Sequence, residues 1–114
     1  MIAVIFELEP NAQNAARYFE LAADLRSELE RIDGFISVER FESLARPGRY
    51  LSLSFWCDEE AVRRWRCHAQ HRGAQQEGRS AVLAGYRLRV ASVVRDYGLL
   101  DRDEVPADSR AALQ

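Results

Sequence analysis

The side chains best suited to chemistry are concentrated in one short stretch of this 114-residue chain. Both tryptophans, both histidines and both cysteines lie within the 16 positions from Trp56 to His71. Imidazole can take up or release a proton near neutral pH, and an indole offers a flat apolar surface to a bound molecule. The sequence therefore predicts that a functional site, if the chain has one, lies near this stretch.

Two histidines at a spacing of three could begin a metal site. His68 and His71 would lie on about the same side of a helix. A catalytic zinc or iron normally has three protein ligands, however, and the chain contains no further histidine. We therefore expect no metal or other cofactor, and we interpret His71 as the candidate catalytic residue, a proton acceptor beside a bound molecule. The alternative for each histidine is a partly exposed structural role.

The composition is that of one soluble globular domain, with 47% hydrophobic and 30% charged residues. A net charge of -2 favours neither nucleic acid nor an anionic membrane surface. No apolar run approaches the roughly 20 residues that span a bilayer, and no signal peptide is recognisable, so we expect a cytoplasmic protein. All 16 basic residues are arginine, which we interpret as the codon bias of a GC-rich bacterial genome. Two cysteines are too few for a disulfide framework.

Hydrophobic periodicity predicts four strands and two helices, because a period of two is typical of strands and spacings of three and four are typical of helices. The strands are predicted over residues 2–8, 35–42, 50–56 and 86–97, with one helix after the first strand and the other from Asp58 to Arg72. This β-α-β-β-α-β order predicts an α+β, ferredoxin-like domain over residues 1–98, with an antiparallel four-stranded sheet. We expect residues 73–85 to hold a short helical piece and a connection. Residues 99–114 form a polar C-terminal extension that could be disordered.

Local signals mark the ends of these elements. Asn11 and Asp58 are placed to cap the two helices. Gly34 suits the left-handed position that closes the first helix, and Arg46-Pro47-Gly48-Arg49 predicts a turn between two strands.

The spacing W-x8-W-x2-H-x2-H-x2-A-Q-x2-G-R runs from Trp56 to Arg79. This pattern resembles the antibiotic biosynthesis monooxygenase family, and the order of the predicted elements extends the resemblance over about residues 1–98. The resemblance implies a homodimer in which two sheets pack face to face, a dimeric α+β barrel. An apolar sheet face left bare by the helices is consistent with such a dimer. We expect that face to carry Ile5, Tyr50, Trp56, Ala91 and Val93.

The resemblance implies two kinds of chemistry. One branch of that family oxidises phenolic polyketides or quinols without metal, flavin or haem, by letting a deprotonated substrate react with oxygen. A haem-degrading branch combines a Trp with a His further along the same helix and an Asn on the first strand. The corresponding positions here are Gln75 and either Phe6 or Glu7, so the match does not extend to haem degradation.

The resemblance and the residues together predict a cofactor-independent monooxygenase that acts on a small phenolic, quinol or polycyclic aromatic substrate. We expect its pocket between the two helices and the covered sheet face. The residues expected to line it, beside His71, share an inward position: Trp65, Phe19, Tyr18, Phe55, Gln75 and Arg79. The alternatives are that Trp65 is simply a core residue, and that the chain is a non-catalytic small-molecule-binding or stress-linked module of the same fold. An open cavity would favour the enzyme, and a filled interior would favour the module.

Overall fold

A computed structural model describes the backbone of residues 1–72 and 83–111, with the side chains of residues 1–68 and 83–110. Its elements, in chain order, are β1 (Ile2–Pro10), α1 (Ala15–Leu29), β2 (Phe35–Glu42), β3 (Tyr50–Trp56), α2 (Glu59–Arg72), β4 (Leu83–Ser92) and α3 (Ala107–Ala111). The predicted β-α-β-β-α-β order is therefore confirmed, with one short helix added in the C-terminal extension. No helix in the described ranges is long and apolar enough to cross a membrane.

The four strands form one antiparallel sheet in the order β2-β3-β1-β4. Both long helices connect strands that are separated by one other strand, which is the split βαβ arrangement. A core cluster joins Leu29 of α1, Trp56 of β3 and Ala61 and Val62 of α2. Both helices therefore pack against the same face of the sheet, as the ferredoxin-like prediction requires.

The strand register separates the two faces of the sheet, because residues directly opposite each other in antiparallel strands lie on the same face. The covered face, under the helices, carries Ile2, Val4, Phe6, Leu8, Val38, Arg40, Glu42, Tyr50, Ser52, Ser54, Trp56, Tyr86, Leu88, Val90 and Ser92. The open face carries Ala3, Ile5, Glu7, Ser37, Glu39, Phe41, Leu51, Leu53, Phe55, Arg87, Arg89 and Ala91.

The two faces of strand β3 are the reverse of those expected from its sequence. The side chains expected under the helices lie on the open face, and those expected on the open face lie under the helices. Trp56 is 1% exposed and lies in the helix-packed core, so its predicted place on the bare face is wrong, as is that of Tyr50. Phe55 was expected under the helices, but it is in register with Ala3 on the open face. The more uniformly apolar face of β3, with Leu51, Leu53 and Phe55, is the open one, so assigning the most apolar face to the helices gives the wrong side. Ile5 and Ala91 do lie on the open face, as predicted.

Two of the residues predicted to mark the ends of helices, Asp58 and Gly34, do so in the structure. The Oδ1 atom of Asp58 accepts a hydrogen bond from the backbone N–H of Ala61 at 2.9 Å, which caps α2 as predicted. Gly34 adopts φ +91°, the left-handed conformation predicted for it, and a Cβ there would lie 2.6 Å from the Cβ of Ala61. This close approach brings the end of α1 against the start of α2.

The predicted cap at Asn11 is wrong. Its Oδ1 accepts a hydrogen bond from the N–H of Gln13 at 3.0 Å, so the side chain stabilises the turn before α1. Asn14 occupies the cap position of the helix without a side-chain cap hydrogen bond.

Strand β4 is shifted toward the N-terminus of its predicted range of 86–97. It pairs with β1 from Pro10↔Leu83 to Ile2↔Ser92, and the N–H of Val93 donates to the carbonyl of Met1 at 3.0 Å. The helical piece expected in residues 73–85 lies outside the described residues, apart from the last three positions, which belong to β4.

The C-terminal extension is folded over part of its length. The Arg102 guanidinium lies over the Tyr97 ring, 5.6 Å from its centroid, and Arg110 donates to the Arg102 carbonyl at 2.8 Å. Val105 is only 6% exposed. The boundary between domain and extension at residue 98 stays a prediction.

Candidate functional site

Trp65 and His68 form a stacked pair on the inner side of α2. Their ring centroids are 5.8 Å apart and their planes differ by 26°. Residues three apart on a helix are neighbours on its surface, so the helix itself sets this contact. Trp65 also packs against the core cluster of Leu29, Trp56 and Val62. Its indole therefore packs against the core and also against the imidazole of His68.

A carboxylate from the other helix faces this imidazole. The Nε2 atom of His68 lies 3.9 Å from Oε2 of Glu28, and the two side chains are 40% and 18% exposed. That separation allows an ion pair when the histidine is protonated but exceeds a hydrogen bond. Nε2 itself is buried and forms no hydrogen bond within the described part of the chain. The pair is placed to accept a proton and to stabilise the resulting imidazolium.

Sequence reasoning did not identify this pair. Glu28 adjoins Leu29 and is spaced three from Leu25 and four from Ile32, so it lies on the apolar stripe of α1. A carboxylate within an apolar stripe is unusual, because burying it requires a partner. That signal could have identified Glu28, but the sequence could not name His68 as the group it faces.

An aromatic group lies at the opposite end of the covered face from Trp56. Phe19 contacts Tyr50 with ring centroids 5.0 Å apart, and Tyr18 contacts Phe19 at 5.3 Å, both edge to face. Phe6 and Tyr86 form a similar pair at 5.7 Å. The structure thus brings the predicted Tyr18 and Phe19 to the covered face and adds Tyr50, Phe6 and Tyr86.

Part of the covered face is accessible. Tyr86, Leu88 and Val90 lie on it, yet they are 59%, 46% and 44% exposed. A cleft of about 290 Å³ extends between α2 and this strand, lined by Glu59, Glu60, Val62, Arg63, Arg66 and Val90. Four of its six lining residues are charged, so Val62 and Val90 form its only apolar surface.

The charged rim of this cleft is partly neutralised. The Nε atom of Arg63 donates to Glu60 at 3.0 Å, and this hydrogen bond holds the pKa of the Glu60 carboxyl below its usual value. The same contact raises the pKa of the Arg63 guanidinium. Both side chains are about half exposed to solvent, so the pair contributes little to stability.

The structure describes only some of the other predicted site residues. Gln75 and Arg79 lie outside the described residues, and so does the side chain of His71, although its backbone belongs to α2. Phe55 lies on the open face, so its expected position in a pocket with Trp65 is wrong. Among the described residues, no three His, Cys, Asp or Glu side chains cluster as metal ligands would.

Comparisons with known proteins place the chain in a family. It is 52% identical over 93 residues to a protein of Pyricularia oryzae named jasmonate monooxygenase, covering 82% of this chain and 43% of that protein. The chain thus spans less than half the length of this relative. It is also 34% identical over 93 residues to the uncharacterized protein YqjZ of Bacillus subtilis, covering 82% and 79% of the two chains.

A solved structure confirms the fold. A variant of SnoaB, a cofactor-independent oxygenase from Streptomyces nogalater, superposes with a TM-score of 0.70 at 14% identity, covering 83% of this chain and 94% of that one. The family model of the antibiotic biosynthesis monooxygenases matches residues 1–77. This match covers the sheet strands β1 to β3, both long helices and the Trp65–His68 pair, so the chain belongs to the antibiotic biosynthesis monooxygenase family.

Proposed function

We propose that this chain is a monooxygenase that transfers one atom of dioxygen to a small, largely apolar organic molecule bound on the covered face. The observation that carries the proposal is the stacked Trp65–His68 pair facing Glu28. It combines a flat apolar surface with a proton acceptor and a carboxylate that stabilises the protonated form. Family membership supports the same class of reaction.

The first substrate to consider is a jasmonate. The Pyricularia oryzae relative bears that substrate in its name and shares 52% identity over 82% of this chain. A jasmonate is a cyclopentanone with an apolar side chain and a carboxylate, so it matches an apolar site with a few polar groups. The phenolic, quinol or polycyclic aromatic class is the second candidate, and the edge-to-face rings of Phe19 and Tyr50 favour it.

In this proposal the protein contributes a base and an apolar surface. His68 takes the proton from a phenol or from a carbon next to a ketone, and Glu28 stabilises the imidazolium that forms. While Trp65 holds the ring, the electron-rich carbon adds dioxygen and forms a hydroperoxide. Removal of the remaining hydrogen from that carbon then breaks the O–O bond and releases water, so one oxygen atom stays in the product as a carbonyl and the substrate itself supplies both electrons. His71 is the alternative base, since it lies one helical turn further along α2. We propose that no bound metal or haem is needed.

Turnover with defined substrates tests this function. Purified protein is incubated with jasmonate, and separately with a set of phenols and quinols, under isotope-labelled dioxygen. Mass spectrometry should find a product carrying one labelled oxygen atom, and dialysis against a chelator should leave its rate unchanged. If substrates bind without forming any product, the chain is a binding module. If chelation abolishes the rate, the metal-free mechanism is wrong.

We also propose a homodimer formed through the open faces. Ile5, Leu51, Leu53 and Phe55 give the centre of the open face an apolar character. At one end of the face Glu7 pairs with Arg49 at 3.5 Å and with Arg89 at 3.2 Å. An apolar centre beside a charged rim is typical of protein interfaces. Cytoplasmic location and bacterial origin stay predictions.

A further inference from the structure

Arg40 has an unusual position on the sheet. The register pairs it with Ser52, so it lies on the covered face. Among the described strand residues it is the only basic residue on that face, since Arg87 and Arg89 are in register with Glu7 and Ile5 on the open face. Apart from Glu42 at one edge, the described strand residues of that face have apolar or hydroxyl side chains, so a guanidinium there needs a physical explanation.

Among the described residues, no carboxylate forms an ion pair with Arg40. Its Nε atom is buried and has no hydrogen-bond partner among them. Glu42, the carboxylate on the same face of β2, accepts a hydrogen bond from the N–H of Gly48 at 3.2 Å and belongs to the turn. On the open face, by contrast, Arg49 and Arg89 both pair with Glu7. A buried donor without an acceptor is unfavourable, so this position suits an anion supplied from outside the chain.

The neighbours of Arg40 define the rest of such a ligand. Ser52 is directly opposite on β3 and offers a hydroxyl donor, and Tyr50 is the diagonal neighbour on the same strand. The Tyr50 ring contacts Phe19 of α1 at 5.0 Å. A guanidinium and a hydroxyl beside an aromatic wall match a carboxylate attached to an apolar body.

The sheet geometry connects this position with the proposed reaction site. Arg40, Ser52, Phe6 and Leu88 occupy one row across the four strands. Adjacent strands are about 4.8 Å apart, so Phe6 lies about 10 Å from Arg40 along the row. Helix α2, which carries Trp65 and His68, joins β3 to β4 and passes over β1. A molecule held at Arg40 by one end can therefore extend toward the stacked pair.

We infer that Arg40, assisted by Ser52, binds the carboxylate of an acidic, otherwise apolar substrate such as a jasmonate. This inference rests on the proposed function and specifies the substrate class as free acids. An ester of the same molecule keeps the apolar body and loses the negative charge. Discrimination between acid and ester is therefore the property that Arg40 should control.

The test compares jasmonic acid with methyl jasmonate in the wild type, in Arg40→Gln and in the control Arg17→Gln. Arg17 is an exposed residue of α1 paired with Glu20, so its variant removes the same charge elsewhere. The wild type and the control should bind and oxidise the acid in preference to the ester. Arg40→Gln should raise the Kd and the KM for the acid about tenfold or more and change those for the ester little, because a hydrogen bond to a charged group is lost.

Binding measured by calorimetry separates the two proposals. If the acid binds the wild type without turnover and Arg40→Gln weakens that binding, the inference holds and the proposed function fails. If the acid does not bind the wild type, if acid and ester bind equally well, or if Arg40→Gln weakens both alike, the inference is overturned. Circular dichroism and thermal unfolding of each variant establish that it is folded, and Arg40→Lys provides a second variant that keeps the charge.

Discussion

The imidazole of His68 faces the carboxylate of Glu28 across the two long helices, with Nε2 3.9 Å from Oε2. The contact joins residues forty positions apart in the chain, next to the indole of Trp65. A histidine with a carboxylate on one side and an apolar ring on another is a common arrangement for proton transfer. The relationship therefore makes His68 a candidate base, which the sequence alone did not do.

Exchanging each histidine for glutamine identifies the base. We expect His68→Gln to lower kcat by about 10²- to 10⁴-fold, because glutamine keeps a polar group of similar bulk but cannot take a proton. His71→Gln should retain most of the activity. Rates are measured with the same substrate across the pH range in which the wild type is active. The opposite result, with His71→Gln inactive and His68→Gln active, would identify His71 as the base.

Glu28 should act on the reaction through His68. Glu28→Gln removes the negative charge that stabilises the imidazolium, so we expect kcat to fall about tenfold with KM little changed. The matched control is Glu30→Gln, which removes a surface carboxylate paired with Arg26 at 3.4 Å and should behave like the wild type. A purely structural role for Glu28 would lower thermal stability and leave the kcat of the folded protein unchanged.

The contact between Gly34 and Ala61 should control stability. Gly34 and Gly48 both have positive φ, so alanine at either position costs about 1 to 2 kcal/mol of backbone strain. A Cβ at Gly34 also meets the Cβ of Ala61 at 2.6 Å, whereas a Cβ at Gly48 has nothing within 4 Å. Gly34→Ala should therefore lower the free energy of unfolding by about 1 to 3 kcal/mol more than Gly48→Ala. Equal losses in urea denaturation would show that the start of α2 can move to relieve the contact.

The proposed dimer should depend on the open face. Leu53→Asp places a charge at the centre of that face, and an unpaired charge in an interface costs several kcal/mol, so we expect a monomer. Leu44, which is fully exposed in the turn after β2, provides the control Leu44→Asp. Light scattering at micromolar concentration measures the mass of each variant. A wild-type monomer, or a dimer that persists in a folded Leu53→Asp variant, would contradict the proposal.

The sequence by itself determined the local structure and the family. The order of strands and helices, the Asp58 cap and the left-handed Gly34 follow from periodicity and from the preferences of single residues, which depend on a few neighbours in the chain. The spacing from Trp56 through His71 identified the family for the same reason, since it is a property of one continuous segment.

Only the tertiary structure decided which groups meet. The more uniformly apolar side of β3 is the open one, so the register with β1 and the packing of Ala61 and Val62 were needed to place Trp56 in the core and Phe55 on the open face. The packing of separate elements likewise decides that His68 faces Glu28 and that Arg40 lies on the covered face. Long-range register and helix packing set these positions, because the alternation along a strand separates its two faces but does not determine which of them the helices cover.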